Sequence, residues 1–235
     1  MSLNISPTFA SPQVAAQDQQ ALKKVWENIQ PDSCPYFYNF HMHTRCSDGQ
    51  LEPEELIQQA ISIGLKGLAI TDHHSVAGYF AAQSFLEQWQ QSSKPTTIPH
   101  LWTGVEITSD LLGTDVHILG YAFDPKHPNL QPYLHNQVSS PKIPQAAQVI
   151  TAIQQAGGLA VLAHPARYRR SLEQLIPGAA DLGIDGVETY YAYSNPKPWQ
   201  PSPKQTKKVK ELSAIYNLFN TCGTDTHGSN LLWRV

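Results

Sequence analysis

From residue 36 onward, short β-rich runs alternate with helical patterns, and this rhythm constrains the fold more than any other feature of the chain. The runs are Tyr36–His41, Gly67–Thr71, Leu101–Thr108, Val116–Phe123, Leu159–His164, Asp185–Thr189 and Leu218–Thr224. Between them, apolar residues recur at helical spacing over Pro53–Ile63, Val76–Gln90, Pro144–Ala156, Leu172–Leu182 and Lys204–Tyr216. Strands alternating with helices imply an α/β fold with parallel pairing and helices outside the sheet. Seven such strands in roughly 200 residues fit a barrel at least as well as an open sheet.

Residues 1–35 read as an N-terminal extension ahead of a main domain over 36–235. Ser11-Pro12 offers a helix start, Val14, Ala21, Leu22, Val25 and Ile29 recur at helical spacing, and Pro31 and Pro35 close the segment. One amphipathic helix packed on the main body is expected. Residues 124–143 hold Pro125, Pro128, Pro132 and Pro141 and read as a long surface loop.

The 235 residues are 41% hydrophobic, enough for one sizeable core, and carry a net charge of -3. No global basic field draws in nucleic acid, so polyanion binding has to come from a local site. Cys34, Cys46 and Cys222 are far apart in sequence and lack C-x-x-C spacing, which argues against a disulfide framework or a thiolate zinc site. No basic-then-apolar leader and no apolar run of about 18 residues is present. The expectation is a cytoplasmic protein with no membrane contact and no obligate protein partner.

The ten histidines are the compositional oddity. His41 and His43 end the first run, and a spacing of two puts both on one face. Asp48 lies in the following turn. His73 and His74 end the second run, Glu106 lies in the third and His117 in the fourth. A hairpin about Leu111-Leu112 brings Glu106 and His117 together. His164 ends the fifth run, and Asp225 and His227 follow the last. In a barrel, strand C-termini share one mouth, where active sites sit. Imidazole and carboxylate without thiolate suit Mn²⁺, Zn²⁺ or Fe²⁺. Six histidines (41, 43, 73, 117, 164 and 227) with Asp48, Glu106 and Asp225 exceed what one ion can use. Two to three divalent ions are therefore expected. Three ions against three carboxylates leave the mouth at about +3, an anion trap suited to phosphate esters. His100, His127 and His135 read as hydrogen-bonded structural residues.

Taken in order, His41-Met42-His43-Thr44, Ser47-Asp48-Gly49, Thr71-Asp72-His73, Gly104-Val105-Glu106, His117-Ile118-Leu119-Gly120, Ala163-His164-Pro165 and Gly223-Thr224-Asp225-Thr226-His227-Gly228 resemble the PHP family, named for polymerase and histidinol phosphatase. The likeness covers about residues 36–230, and Ala163–Tyr168 looks most like the TrpH/YciV-like branch of metal-dependent phosphoesterases. The resemblance implies a distorted (β/α)7 TIM-like barrel. It implies one metal on His41, His43, Glu106 and Asp225, a second sharing Glu106 with His117 and His164, and a third on Asp48, His73 and His227. A metal-activated hydroxide would attack phosphorus at this trinuclear site. Two departures stand out: His74 occupies a position where the branch commonly has a carboxylate, and only residues 124–158 fill the place of a larger helical insertion.

Arg167 reads as a catalytic and substrate-binding phosphate clamp, or as a surface salt bridge. His74 reads as an orienter, a proton donor to the leaving oxygen, or an idle solvated side chain. Glu188 can bind substrate or orient a ligand, and Tyr190 or Tyr191 can line the mouth as substrate-binding groups or pack in the core. Lys204, Lys207 and Lys208 read as a solvated face. The resulting expectation is a phosphoesterase acting on a small phosphorylated substrate or nucleotide. The alternatives are a 5′→3′ exonuclease on short RNA or DNA oligonucleotides, a non-catalytic metal-binding module, and a C–N hydrolase.

Overall fold

The computed structural model describes residues 15–92, 97–136 and 142–235. The expected helix start at Ser11-Pro12 and Pro141 of the long loop lie outside the described residues. In chain order the elements are α1 (Gln19–Trp26), β1 (Tyr38–Asn39), α2 (Pro53–Ile63), β2 (Gly67–Ala69), α3 (Ala77–Gln91), β3 (His100–Trp102), β4 (Gly104–Leu111), β5 (Thr114–Tyr121), α4 (Ala146–Gln155), β6 (Leu159–Leu162), α5 (Leu172–Asp181), β7 (Gly186–Tyr190), α6 (Pro203–Ile215) and β8 (Phe219–Cys222).

The strands form a mixed α/β arrangement of two sheets, ordered β1-β2-β3 and β4-β5-β6-β7-β8, and not one continuous closed barrel. The single bridges Met42–Thr226 and His73–Glu106 join them. Side chains explain the short ladders. Thr71 Oγ1 accepts the Met42 N–H at 3.1 Å, and Asn39 Oδ1 accepts the Thr224 N–H at 3.0 Å. These groups take main-chain hydrogen bonds that a regular ladder would use, just where the ligand-type residues begin. The run Leu101–Thr108 is broken at Thr103 into β3 and β4. All-parallel pairing is also corrected, because β5 runs antiparallel to both β4 and β6.

The β4–β5 hairpin turns through Leu112 and Gly113, both with positive φ (56° and 72°), the conformation that a two-residue hairpin turn demands. Glu106 then pairs with Leu119, and His117 with Thr108. Glu106 and His117 are therefore diagonal neighbours on one face, still within reach.

α2 starts at Pro53, where the Glu55 carboxylate accepts the Glu52 N–H at 3.1 Å, and stops at Gly64 with φ 84°. Its Leu56, Ile57 and Ala60 pack with Leu68, Ile70 and Tyr79 beside the first sheet. α4 and α5 bury Val149, Ile150, Ile153, Leu175 and Ile176 against the second sheet. A third cluster draws on α1. Leu22, Trp26 and Ile29 pack with Phe40, Trp102 and Tyr121, and the Trp26 and Tyr121 rings meet edge-on at 5.3 Å. Cys34 and Cys222 join this cluster as buried free thiols.

A candidate metal centre

Each ligand-type residue is set by main chain just beyond or within a strand. The His43 N–H donates to Thr226 O at 3.0 Å and the Asp225 N–H to His41 O at 2.8 Å, so the segments after β1 and β8 lie side by side. Gly223 is required at their crossing: a Cβ there would collide with the Cβ and main chain of His41. Met42, between the two histidines, turns into the core. The loop bearing Asp48 is anchored by Asp72, which accepts the Thr44 N–H, the Thr44 hydroxyl and the Ser47 hydroxyl, each at 2.7 Å. His164 and Asp225 hold positive φ (26° and 52°), a conformation uncommon outside glycine and concentrated at functional positions.

The nine residues converge. One group joins His41, His43, Glu106 and Asp225, a second His43, Asp48, His73 and His227, and a third His73, Glu106 and His117, each with ligand atoms within 4.8 Å of one another. Glu106 sits at the middle. Its Oε2 lies 3.2, 3.1 and 3.5 Å from His41, His43 and His73 Nε2, and its Oε1 lies 2.7 Å from His117 Nδ1 and 3.4 Å from His164 Nε2.

The geometry of these contacts fits metal ions. Both ring nitrogens of buried His43 lie near carboxylates, Nε2 3.1 Å from Glu106 and Nδ1 3.5 Å from Asp48, yet neither makes a hydrogen bond; the Nδ1 atoms of His73 and His164 are also unpaired. Buried polar atoms are rarely left so. Nitrogens and oxygens that approach without bonding converge on the space between them, where cations belong. Nitrogen and carboxylate donors suit Mn²⁺, Zn²⁺ or Fe²⁺.

Electrostatics agree. Burial alone would depress His41, but Glu106, Glu188 and Asp225 hold it well above the usual imidazole range. Burial likewise opposes the charged form of His43, yet the nearby carboxylates of Asp225 and Glu106 raise it to about 9. Burial would raise Glu106, but His117, His41 and His73 hold it well below the carboxylate range. His41 and His43 similarly hold down buried Asp225. The carboxylates are ionised, and their attraction holds protons on two imidazoles that a cation would displace.

Around the cluster lies a layer of orienting groups. Glu188 accepts from His41 Nδ1 at 3.0 Å and from the His164 N–H at 2.9 Å, which aims the His41 Nε2 lone pair inward. Asp225 divides its carboxylate: Oδ1 lies 3.3–3.4 Å from His41, His43 and His227, while Oδ2 accepts from Tyr191 at 2.7 Å, Arg234 at 2.8 Å and Arg167 at 3.0 Å. Tyr168 accepts the His117 N–H at 2.8 Å.

Several expected roles change. Glu188 is fully buried, with its carboxylate bonded to His41 and to the main chain of His164. Tyr190 is buried in the aromatic core, and Tyr191 is the tyrosine facing Asp225. Both ring nitrogens of His74 are engaged by main chain: its Nδ1 donates to Tyr133 O at 3.0 Å and its Nε2 accepts the Thr108 N–H at 3.3 Å. Burial lowers it to about 4, so the neutral ring serves as a structural tie. Arg167 stands at the rim, 40% exposed, paired with Asp225. Arg234 was not singled out by sequence; it follows no motif and reaches Asp225 only because the chain folds back. His100 bonds Ala15 O, His127 accepts the Asn129 N–H, and His135 stacks on His74. Lys208 pairs with Glu173 on an exposed face.

With this geometry in hand, comparison with known proteins is decisive. The family model described as "PHP domain" matches residues 39–163, more than half of the chain. The chain belongs to the PHP domain family. A PHP relative in Salmonella typhimurium, the 5′-3′ exoribonuclease Rnm, is 25% identical over 261 residues, covering 81% of this chain and 85% of its own. That alignment is longer than this 235-residue chain, so the relative carries stretches that this chain lacks. A 3′,5′-nucleoside bisphosphate phosphatase of Chromobacterium violaceum is 31% identical over 119 residues, 51% of this chain and 39% of that protein. A solved structure from Bifidobacterium adolescentis, described as a metal-dependent phosphoesterase, superposes with a TM-score of 0.66 at 25% identity, covering 85% of this chain and 90% of that one. In reaction class this PHP protein is, with these relatives, a phosphoric ester hydrolase. No helix among the described residues is long and apolar enough to cross a membrane.

Proposed function

We propose that the protein hydrolyses a terminal phosphate ester of a nucleotide or small phosphomonoester at a site of two to three divalent ions. The observation that carries this reading is the clustering of Glu106 with eight other nitrogen and oxygen ligand residues beside the half-exposed guanidinium of Arg167. His41, His43, Glu106 and Asp225 form the inner ligand set, Asp48, His73 and His227 an outer one, and His117 with His164 flank Glu106. Bound ions supply a water of lowered pKa and Lewis acidity toward the phosphoryl oxygens. The chain's own groups hold the geometry: Glu188 fixes the His41 tautomer, and Arg234 with Tyr191 turns Asp225 Oδ1 inward. Arg167 keeps N–H groups free of Asp225 and offers them to a phosphoryl oxygen. Purified protein loaded with Mn²⁺ is expected to release phosphate from p-nitrophenyl phosphate or nucleotides; no turnover by a fully metallated protein would refute the proposal.

A second reading, 5′→3′ trimming of short RNA, is favoured by the near full-length match to the Salmonella exoribonuclease. Successive release of mononucleotides from a 5′-phosphorylated oligomer supports it, and action on mononucleotides alone rejects it. A non-catalytic module is disfavoured because all nine ligand positions are filled; fewer than two ions per chain after Mn²⁺ loading would revive it.

A further inference from the structure

Four of the five arginines of this acidic chain either contact Asp225 or line a cleft with an arginine that does: Arg234, Arg167, Arg169 and Arg170. Two of these four share one carboxylate, because Arg234 and Arg167 both bind Asp225. Arg45, in the loop that bears Asp48, is matched by Glu52. Arg169 and Arg170 differ. Arg169 is exposed and has no carboxylate partner among the described residues. Arg170 bonds only neutral acceptors, the Thr114 hydroxyl at 3.2 Å and the carbonyl of Leu112. Two adjacent guanidinium groups without counter-ions repel each other, an arrangement that an anion relieves.

These side chains line a cleft of about 640 Å³ shared with Thr114, Asp115, Arg167 and Tyr168. Its size falls in the range of small-molecule sites. Two of its lining residues also touch the metal centre: Arg167, which contacts Asp225, and Tyr168, whose hydroxyl holds the main chain of His117. Its outer wall is braced. Arg170 ties down the tip of the β4–β5 hairpin, and Leu112 packs against α5 so closely that a Cβ at Gly178 would strike its side chain. With Arg167 paired to Asp225, Arg169 and Arg170 against Asp115 leave the cleft about +1, whereas the whole chain is -3. Planar guanidinium forks match phosphate oxygens.

We propose that Arg169 and Arg170 bind a second phosphate group of the substrate while its scissile phosphate lies at the metal centre. This rests on the phosphoester reading above and narrows it to substrates that carry two phosphates. The second phosphate has two sources, the other phosphate of a nucleoside bisphosphate or the next phosphodiester of a short oligonucleotide.

The test compares Mn²⁺-loaded wild type with Arg169→Ala, Arg169→Lys and Arg170→Ala on p-nitrophenyl phosphate, adenosine 3′,5′-bisphosphate and a 5′-phosphorylated RNA trinucleotide. Loss of one charged contact is expected to lower kcat/KM for at least one of the two-phosphate substrates about tenfold more than for p-nitrophenyl phosphate, mainly through KM. Arg169→Lys restores part of the loss. Whether bisphosphate or trinucleotide suffers identifies the source. For the trinucleotide, the slope of log affinity against log salt falls by about 0.7 per lost contact. Equal losses on all three substrates, or none, overturn the proposal. Calorimetric binding of adenosine 3′,5′-bisphosphate and of the trinucleotide separates it from the hydrolysis reading. Binding of either weakened about tenfold by Arg169→Ala, in a protein that turns over nothing, keeps the cleft and removes the hydrolysis. Undiminished binding of both by the variants, or no binding by wild type, removes the cleft.

Discussion

On the inner wall of the metal centre, His41, His43, Glu106 and Asp225 are at most 1% exposed, whereas the side chains of Asp48, His117 and His227 on the rim are 36, 28 and 20% exposed. The wall residues are held from several sides by protein groups. Glu106 alone faces five histidines, and Asp225 takes three donors on one oxygen. The rim residues have fewer ties, and water reaches them. The wall is therefore set by folding and the rim is completed by the ions. Buried charge is costly unless matched, so a wall residue serves the fold and the chemistry together.

The largest effects follow from neutralising the wall. Glu106→Gln leaves five imidazoles without their shared carboxylate. Activity is expected to fall by at least about a thousandfold, and the metal-free fold to lose about 3–5 kcal/mol, the cost of breaking a buried ion pair. Asp225→Asn separates the two roles. Asparagine tolerates the φ of 52° and can still accept from Arg234, so stability should hold better while activity falls as far. Phosphate release, elemental analysis and urea unfolding measure the two variants; activity within tenfold of wild type in either would show that the wall is not the reaction centre.

A rim change is expected to do less. Asp48→Asn should lower activity about a hundredfold by weakening the outermost ion, with stability changed by less than about 1 kcal/mol, because the group is a third exposed. Equal loss of stability in Asp48→Asn and Glu106→Gln would erase the distinction between wall and rim.

Much of this arrangement is legible in sequence, for physical reasons. His41, His43, His164 and Asp225 announce themselves because buried apolar runs stop at them, and a strand end has only one place to put its next side chain. The partnership of Glu106 and His117 follows from a hairpin, although the register is displaced by two residues because the turn falls on Leu112-Gly113. The division of the expected barrel into two sheets was not legible, since it depends on whether Asn39 and Thr71 side chains intercept main-chain hydrogen bonds, a tertiary matter. Tyr190 and Tyr191 cannot be ranked without knowing that the bulge between Glu188 and Tyr190 in β7 shifts the register at its end. Arg234 carries no local pattern at all; only the fold brings it to Asp225.

Glu188 lies behind the wall and sharpens the comparison at a smaller scale. Glu188→Gln keeps the shape but can turn an N–H toward His41 Nδ1 or the His164 main chain, where acceptors are needed. Metal affinity is expected to fall about 10–100-fold, the range for partners that orient ligands. Chelator competition measures it. A change confined to kcat with affinity intact would move Glu188 out of the orienting layer.

The smallest effect is in the pH dependence of stability. In metal-free protein the wall imidazoles His41 and His43 are raised, His43 to about 9, so the stability they contribute is present below their unfolded value and is lost as pH rises, for His43 through about 9. His73, nearer the rim, is pushed down to about 4 by burial, so its contribution is present above the unfolded value and is lost as pH falls through about 4. Asp48, held at about 2, adds a loss that begins only below the carboxylate range. The two histidine arms meet near the ordinary imidazole value of about 6.5. The metal-free protein should therefore melt highest there, and Tm should fall by a few degrees on either side. Saturating Mn²⁺ reverses the alkaline arm, because the ions displace the protons on His41 and His43 and bind more tightly as pH rises. Melting scans with and without Mn²⁺ from about pH 5 to about pH 9 report both arms. A metal-free Tm that climbs steadily through the alkaline range would mean that the wall histidines are not protonated by their carboxylates, and that wall and rim share one electrostatic character.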